Sequence, residues 1–402
     1  MDPFRLGITI QGRNFAAVLL LVSNTVSWYY IAQQYLKLLL SNVYYLLDNV
    51  TEATVMSVYF IFILFSAVMG ATLSAKTGRA SLLSVWILFG MVVGPLSFFI
   101  GAGSIYHLIF IAAIFGVGAG FGVPLCLAYF RDFTSNEERG RIAGIITFVT
   151  FLLVALIMAI PGNLNLPSFS LMAAIWKGWG LIAIPQIHKL DAVKAERAVS
   201  YYFIIREKLF VLYFIPWIAF CTIDALDTPI VNTLYPPETM GTLMIIQYFT
   251  GAIFCLLSGY LADNIGRRPT ISYAMILFGV GFLMILTLPL SLSWLFLSVA
   301  YGIAWGTLTV IYLTVVWGDI GPYGASEKYY SLGIVPDFLA QALGRFFETS
   351  VALFSPTFLF SVSTFAIFCM TIPMLFVGET LDKEAAEMRR IRSYIKEGKR
   401  AV

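Results

Sequence analysis

Asp224 and Asp227 stand three residues apart in a long apolar stretch that also carries Pro216 and Pro229. This D-x-x-D spacing can hold a divalent cation through carboxylate oxygens, or either acid can load and release a proton. A second set, Asp337, Gln341, Arg345 and Glu348, falls within an arc of about 80° at 100° per residue, one polar stripe on an otherwise apolar helix. At about 1.5 Å per residue, Asp224 and Arg345 lie at similar depths, so the two can be partners. On that expectation Arg345 binds or balances a carboxylate, and Asp224, Asp227 or Asp337 takes up the proton. Asp227 and Glu348 fall toward the outer headgroup zone. The plainer alternative is a fixed ion-pair network joining two helices. Asn24, Ser27 and Gln34 share one face of the first apolar run, beside Trp28. Amides and an indole suit a hydroxylated ligand such as a sugar, and amides equally bind helix to helix. Lys177, between Trp176 and Trp179, is expected to snorkel to an interface or to pack between the two halves.

Every one of these polar groups sits in apolar surroundings. Of the 402 residues, 59% are hydrophobic and 12% charged, and the mean hydropathy is +0.86. A water-soluble fold does not bury that much apolar surface, and each membrane-spanning helix needs roughly 20 apolar residues. The runs predict about twelve spans: 14–40, 51–75, 80–101, 106–130, 141–160, 167–187, 209–233, 238–262, 270–289, 292–317, 328–354 and 356–377. Basic residues gather on one side of this arrangement, in alternate loops and at both ends, which predicts cytoplasmic termini and a multi-pass protein of the cell membrane. A net charge of +3 with dispersed basic residues excludes a nucleic-acid face. The four cysteines form no C-x-x-C pair and the two histidines lie far apart, so neither a metal site nor a cofactor is expected.

An internal repeat organises the runs. Gly78-Arg79 and Gly266-Arg267 lie 188 residues apart, and Arg139 and Lys328, each five residues before a glycine (Gly144 and Gly333), lie 189 apart. Gly116 and Gly120 in the fourth run match Gly302 and Gly306 in the tenth, pairs that permit close helix contact. The expected organisation is an N-terminal six-helix bundle over 1–187, a cytoplasmic linker at 188–208, a C-terminal six-helix bundle over 209–380 and a cytoplasmic tail at 381–402.

The short loop Gly259-Tyr-Leu-Ala-Asp263-Asn-Ile-Gly266-Arg267-Arg268 resembles the G-x-x-x-D-x-x-G-R-[RK] motif of the major facilitator superfamily of secondary transporters. Its first-half counterpart keeps Gly78 and Arg79 but has Ala71 and Ala75 where the motif has Gly and Asp. Arg139, Gly140 and Gly144 are similar to the family's R-G-x-x-x-G element, and Gly378-Glu379-Thr380 to the P-E-T motif of sugar porters, with Gly for Pro. The resemblance implies an all-α membrane protein in which two six-helix bundles rock about a central site. Asp263, at a helix end, can accept hydrogen bonds from the N-terminal amides of the fifth helix near Arg141 to Gly144, closing a cytoplasmic gate. Positive-inside topology alone would account for Arg267 and Arg268 but needs no acid.

Together these features predict a monomeric secondary transporter that moves a sugar or similar small solute with protons across the lipid bilayer. An organic-anion transporter and a drug efflux antiporter stay open as alternatives. A polytopic membrane enzyme with a D-x-x-D metal site is the alternative of another class, and no second acidic cluster or nucleophile accompanies it.

Overall fold

The computed structural model describes residues 12–42, 49–100, 104–159, 165–188, 199–234, 237–322, 324–351, 354–382 and 387. Twelve helical rods follow one another among these residues: α1 Gly12–Asn42, α2 Asn49–Thr77, α3 Arg79–Ile100, α4 Ile105–Phe133, α5 Arg139–Ala159, α6 166–188, α7 Lys208–Leu234, α8 Pro237–Asn264, α9 Arg267–Thr287, α10 290–320, α11 326–351 and α12 Pro356–Phe376. No strand occurs among the described residues. Ten of the rods are long and apolar enough to cross a membrane. The other two are interrupted: α6 passes through a 3-10 turn at Gly180–Ala183, and α11 breaks at Ile334 between Ser326–Gly333 and Val335–Val351. Proline accounts for both breaks. Pro185 and Pro336 each lack the N–H that would continue the helical ladder, and their rings crowd the preceding turn.

Apolar side chains point outward as well as inward. Phe65, Phe99, Phe249 and Phe365 are more than half exposed, which water would penalise and a hydrocarbon surround does not. The helices are held by close backbone contact instead. Gly116 and Gly120 of α4 lie on the α2 backbone at Tyr59 and Ile63, and Gly302 and Gly306 of α10 lie on α8 at Gln247 and Gly251. The duplicated glycine pairs thus make the same contact in each half, the small-residue packing that lipid-embedded helices use.

The two bundles meet along α5 against α8 and α2 against α11. The charged turns after α2, α4, α8 and α10 and the start of α7 gather at one end of the molecule, the motif side. The opposite end is the far side.

Candidate functional site

The motif side is tied shut by polar contacts between the halves. The first amides of a helix have no partner within it, and a carboxylate placed there satisfies both charge and geometry. Asp263, one residue from the end of α8, takes that position at α5: Oδ1 accepts from the Gly140 amide and Oδ2 from the Arg141 amide, each at 2.9 Å. The Arg141 Nε adds a third bond at 2.9 Å, and Arg267 Nη1 lies 3.1 Å from Oδ1. Backbone meets backbone beneath this contact. A Cβ on Gly259 would overlap the Gly140 carbonyl oxygen, and one on Gly144 would come within 2.5 Å of the Cys255 carbonyl oxygen.

Arg267 carries the network onward. Fully buried, it donates to Asp319 Oδ2 at 3.0 Å and to the carbonyls of Ala262 and Asn136. Asp319, at the end of α10, also receives Arg139 from the other half. Glu379, after α12, caps the start of α9 by accepting from the Arg267 and Arg268 amides at 2.9 and 3.2 Å, while the Arg268 guanidinium donates to the Leu375 carbonyl. Gly266 and Gly78 have φ of 114° and 81°, the left-handed backbone that makes each turn abrupt enough to bring its arginine back under the bundle.

The first-half copy of this network is different. Arg79 pairs with Asp132 of its own half and crosses to Glu327 at the start of α11. With Ala75 in place of an acid, the helix start of α11 meets the connecting segment instead. The Tyr201 hydroxyl bridges the Val68 carbonyl of α2 and the Ser331 hydroxyl of α11, at 3.4 and 3.0 Å, and Lys328 donates to the Val199 carbonyl at 2.6 Å. Asp132, Asp319 and Glu327 are not among the residues that the sequence motifs single out. A signal was present: Asp132 and Asp319 are 187 residues apart, close to the 188 and 189 of the repeat.

Between the bundles lies a cavity of about 290 Å³. It runs from Trp305 and Asp337 to Met240 and Trp294, which lie near the far-side ends of α8 and α10. Asp224 and Asp337 both line it, with Gln341, Gln33 and Gln247 as neutral polar groups and a wall of Tyr29, Tyr30, Tyr248, Tyr301 and Trp305. No Lys, Arg or His is among its described lining residues. Asp224 accepts from the Trp305 indole at 3.0 Å. Next to these residues α10 takes a π-helical turn over Thr309–Val315, a local rewinding common at functional sites. The Tyr301 hydroxyl is buried with no hydrogen-bond partner among the described residues.

Several positions differ from the sequence expectation. Among the described ion pairs none joins Asp224 to Arg345, since the Asp224 carboxylate is turned to Trp305 on α10. Asp227 points away from Asp224 and accepts from Ser363 of α12 at 3.0 Å, so the D-x-x-D acids do not converge on one point. The two acids stand about 60° apart around α7, and each is turned to the helix on its own side, Asp224 to α10 and Asp227 to α12. Arg345 lies one turn beyond Gln341 and does not line the cavity. Glu348 lies within α11, with its side chain outside the described residues. On α1 the cavity-facing residues are Tyr29, Tyr30 and Gln33; Asn24 is buried and donates to the Trp176 carbonyl of α6, and Gln34 does not line the cavity. Lys177 neither snorkels nor packs between the halves. It is fully buried inside the N-terminal bundle.

Two six-helix bundles, tied together on one side and enclosing a polar cavity between them, define a multi-pass secondary transporter. Residues 14–316 match the model of the Major Facilitator Superfamily, and the chain belongs to that family. Among solved structures it is similar to the proton:xylose symporter XylE bound to 6-bromo-6-deoxy-D-glucose, with a TM-score of 0.72 and 15% identity over 91% of this chain and 96% of that one. No curated protein matches it by sequence.

Proposed function

We propose that the protein moves a small organic solute by alternating access, coupled to protons through Asp224 and Asp337. The motif side is read as cytoplasmic, from the basic residues of its loops, and the conformer as outward-facing. One observation carries this reading: two carboxylates line a cavity between the bundles that reaches toward the far side, while the other end is sealed by Asp263, Arg79 and Arg139. An acid in such a place can gain a proton from one side and lose it to the other when the gate reverses.

Within this reading the solute is a sugar or a similar hydroxylated metabolite. Three glutamines and a tyrosine hydroxyl offer neutral donors and acceptors, and the indoles of Trp294 and Trp305 offer flat apolar surface. XylE is a proton:xylose symporter, and its likeness to this chain is one of fold. A second reading has its own support: two acids and several aromatic rings with no basic lining residue favour a small organic cation exchanged for protons. An organic anion has less support, because Arg345 stands outside the lining.

The test is purified protein in liposomes with an imposed pH gradient, offered sugars, organic cations and organic acids in turn. Solute-dependent proton movement with a sugar supports the first reading, and with a cation the second. Proton-independent transport of every solute would remove the coupling role from Asp224 and Asp337.

A further inference from the structure

The N-terminal bundle contains a second charged centre, apart from the cavity and the gate. Lys177 is fully buried in α6, and its Nζ has no hydrogen-bond partner among the described residues. It lies 3.3 Å from the ring centre of Trp86 on α3 and 5.4 Å from that of Trp28 on α1. The Trp28 Nε1 is also buried and also without a partner among the described residues. Both groups are donors only. The Trp86 indole, by contrast, is satisfied by the Val117 carbonyl at 3.3 Å, and Asn24 is turned to Trp176.

Two buried donors, the ammonium 5.4 Å from the ring centre of the indole that carries the other, lack the same thing, an acceptor. Cation–π attraction returns only part of the hydration that a buried ammonium gives up, so Lys177 carries its charge here only with an anion beside it. No ion pair among the described residues includes Lys177, and the titratable group that acts on it from a packed neighbour is the Cys126 thiol of α4. The surrounding backbone is bare of side chains at the relevant places. A methyl on Gly118 would fit in ordinary contact, 3.7 Å from Trp28 Nε1 and 3.9 Å from the Gly90 Cα, whereas Gly90 itself lies directly under the Lys177 side chain. A small spherical anion matches this combination: it accepts from both donors, balances the ammonium and is of a methyl group's order of size.

We propose that Lys177 and Trp28 form a buried site for a halide ion inside the N-terminal bundle. Trp28 precedes Tyr29 and Tyr30 of the cavity wall on the same helix, so an ion here would fix α1 where it faces the solute. A bound water would satisfy the donors but leave the charge unbalanced, and it would give no anion dependence.

The experiment is thermal unfolding of the purified full chain at constant ionic strength, with sodium gluconate replaced stepwise by chloride or bromide. The expected result is a saturable rise in Tm that is absent in Lys177→Met. In Trp28→Phe, which keeps the ring and loses the N–H, half-saturation moves to about tenfold higher halide, the effect of one hydrogen bond to a charged group. Equal Tm in gluconate and halide would overturn the proposal, as would a saturable rise that persists in Lys177→Met. Should Lys177→Met fail to fold, anomalous diffraction from bromide-grown crystals of the unmodified protein decides: a peak between Lys177 Nζ and Trp28 Nε1 supports the site, and none there overturns it.

Discussion

The Asp263 carboxylate and the Gly140 amide meet across the boundary between the two bundles, 2.9 Å apart, with a helix end on one side and a helix start on the other. The contact joins the halves without any flexible side chain on the α5 partner, because the donor is backbone. It can therefore hold only while α5 and α8 keep this register.

Asp263→Asn removes the charge from this contact and leaves at most one acceptor oxygen. Hydrogen bonds to charged groups contribute about 1.5–3 kcal/mol, so the balance between closed and open motif side should move by roughly tenfold or more toward open. Thiol labelling at Ser331→Cys, a buried position on that side, reads the change. Substitutions at Ala75, which is exposed and has no such partner, should leave labelling near the starting rate. Equal labelling rates in Asp263→Asn and the starting protein would reduce the motif to a topology signal.

Gly259→Ala tests the same contact by volume instead of charge. Its methyl would overlap the Gly140 carbonyl oxygen, and overpacking of this kind costs about 1–3 kcal/mol. The closed form should lose stability, seen as faster labelling at Ser331→Cys with Asp263 intact. Unchanged labelling would mean that α5 and α8 have more slack than their backbones show.

Arg79 and Glu327 join the halves on the other side of the boundary, both largely buried. A double-mutant cycle with Arg79→Gln and Glu327→Gln should show coupling of about 0.5–3 kcal/mol in unfolding free energy. Asp224→Asn with Arg345→Gln should be additive within about 0.5 kcal/mol, since the two are not paired. Coupling in the second cycle and not the first would restore the ion pair expected from helix depth.

Asp224→Asn should abolish proton-driven uptake while sparing counterflow exchange, because the asparagine can still accept from Trp305 but cannot carry a proton. Uptake that still follows the pH gradient in Asp224→Asn would move the coupling role to Asp337 or away from the cavity altogether.

The amino-acid sequence by itself determined the membrane class, the twelve spans and the family, because hydrophobic length, repeat spacing and a charged turn are properties of the chain read in one dimension. Even the α5 partner of Asp263 was legible, since a carboxylate at one helix end and an R-G-x-x-x-G element 123 residues earlier describe complementary termini. Helix depth gave only the height of Asp224 along α7. It could not give the direction of a side chain, which depends on where α7 is rotated against α10, and that rotation turned Asp224 to Trp305 and Asp227 to Ser363. The same limit applies to α1: an arc of amides marks a polar face, but packing decided that Asn24 serves α6 and that Gln33 meets the cavity. Lys177 shows the difference most plainly. A lysine near aromatic residues reads as one that reaches for water, and only the three-dimensional packing of α1, α3 and α6 enclosed it, because the bare backbone of Gly90 leaves room for its stem against Trp86.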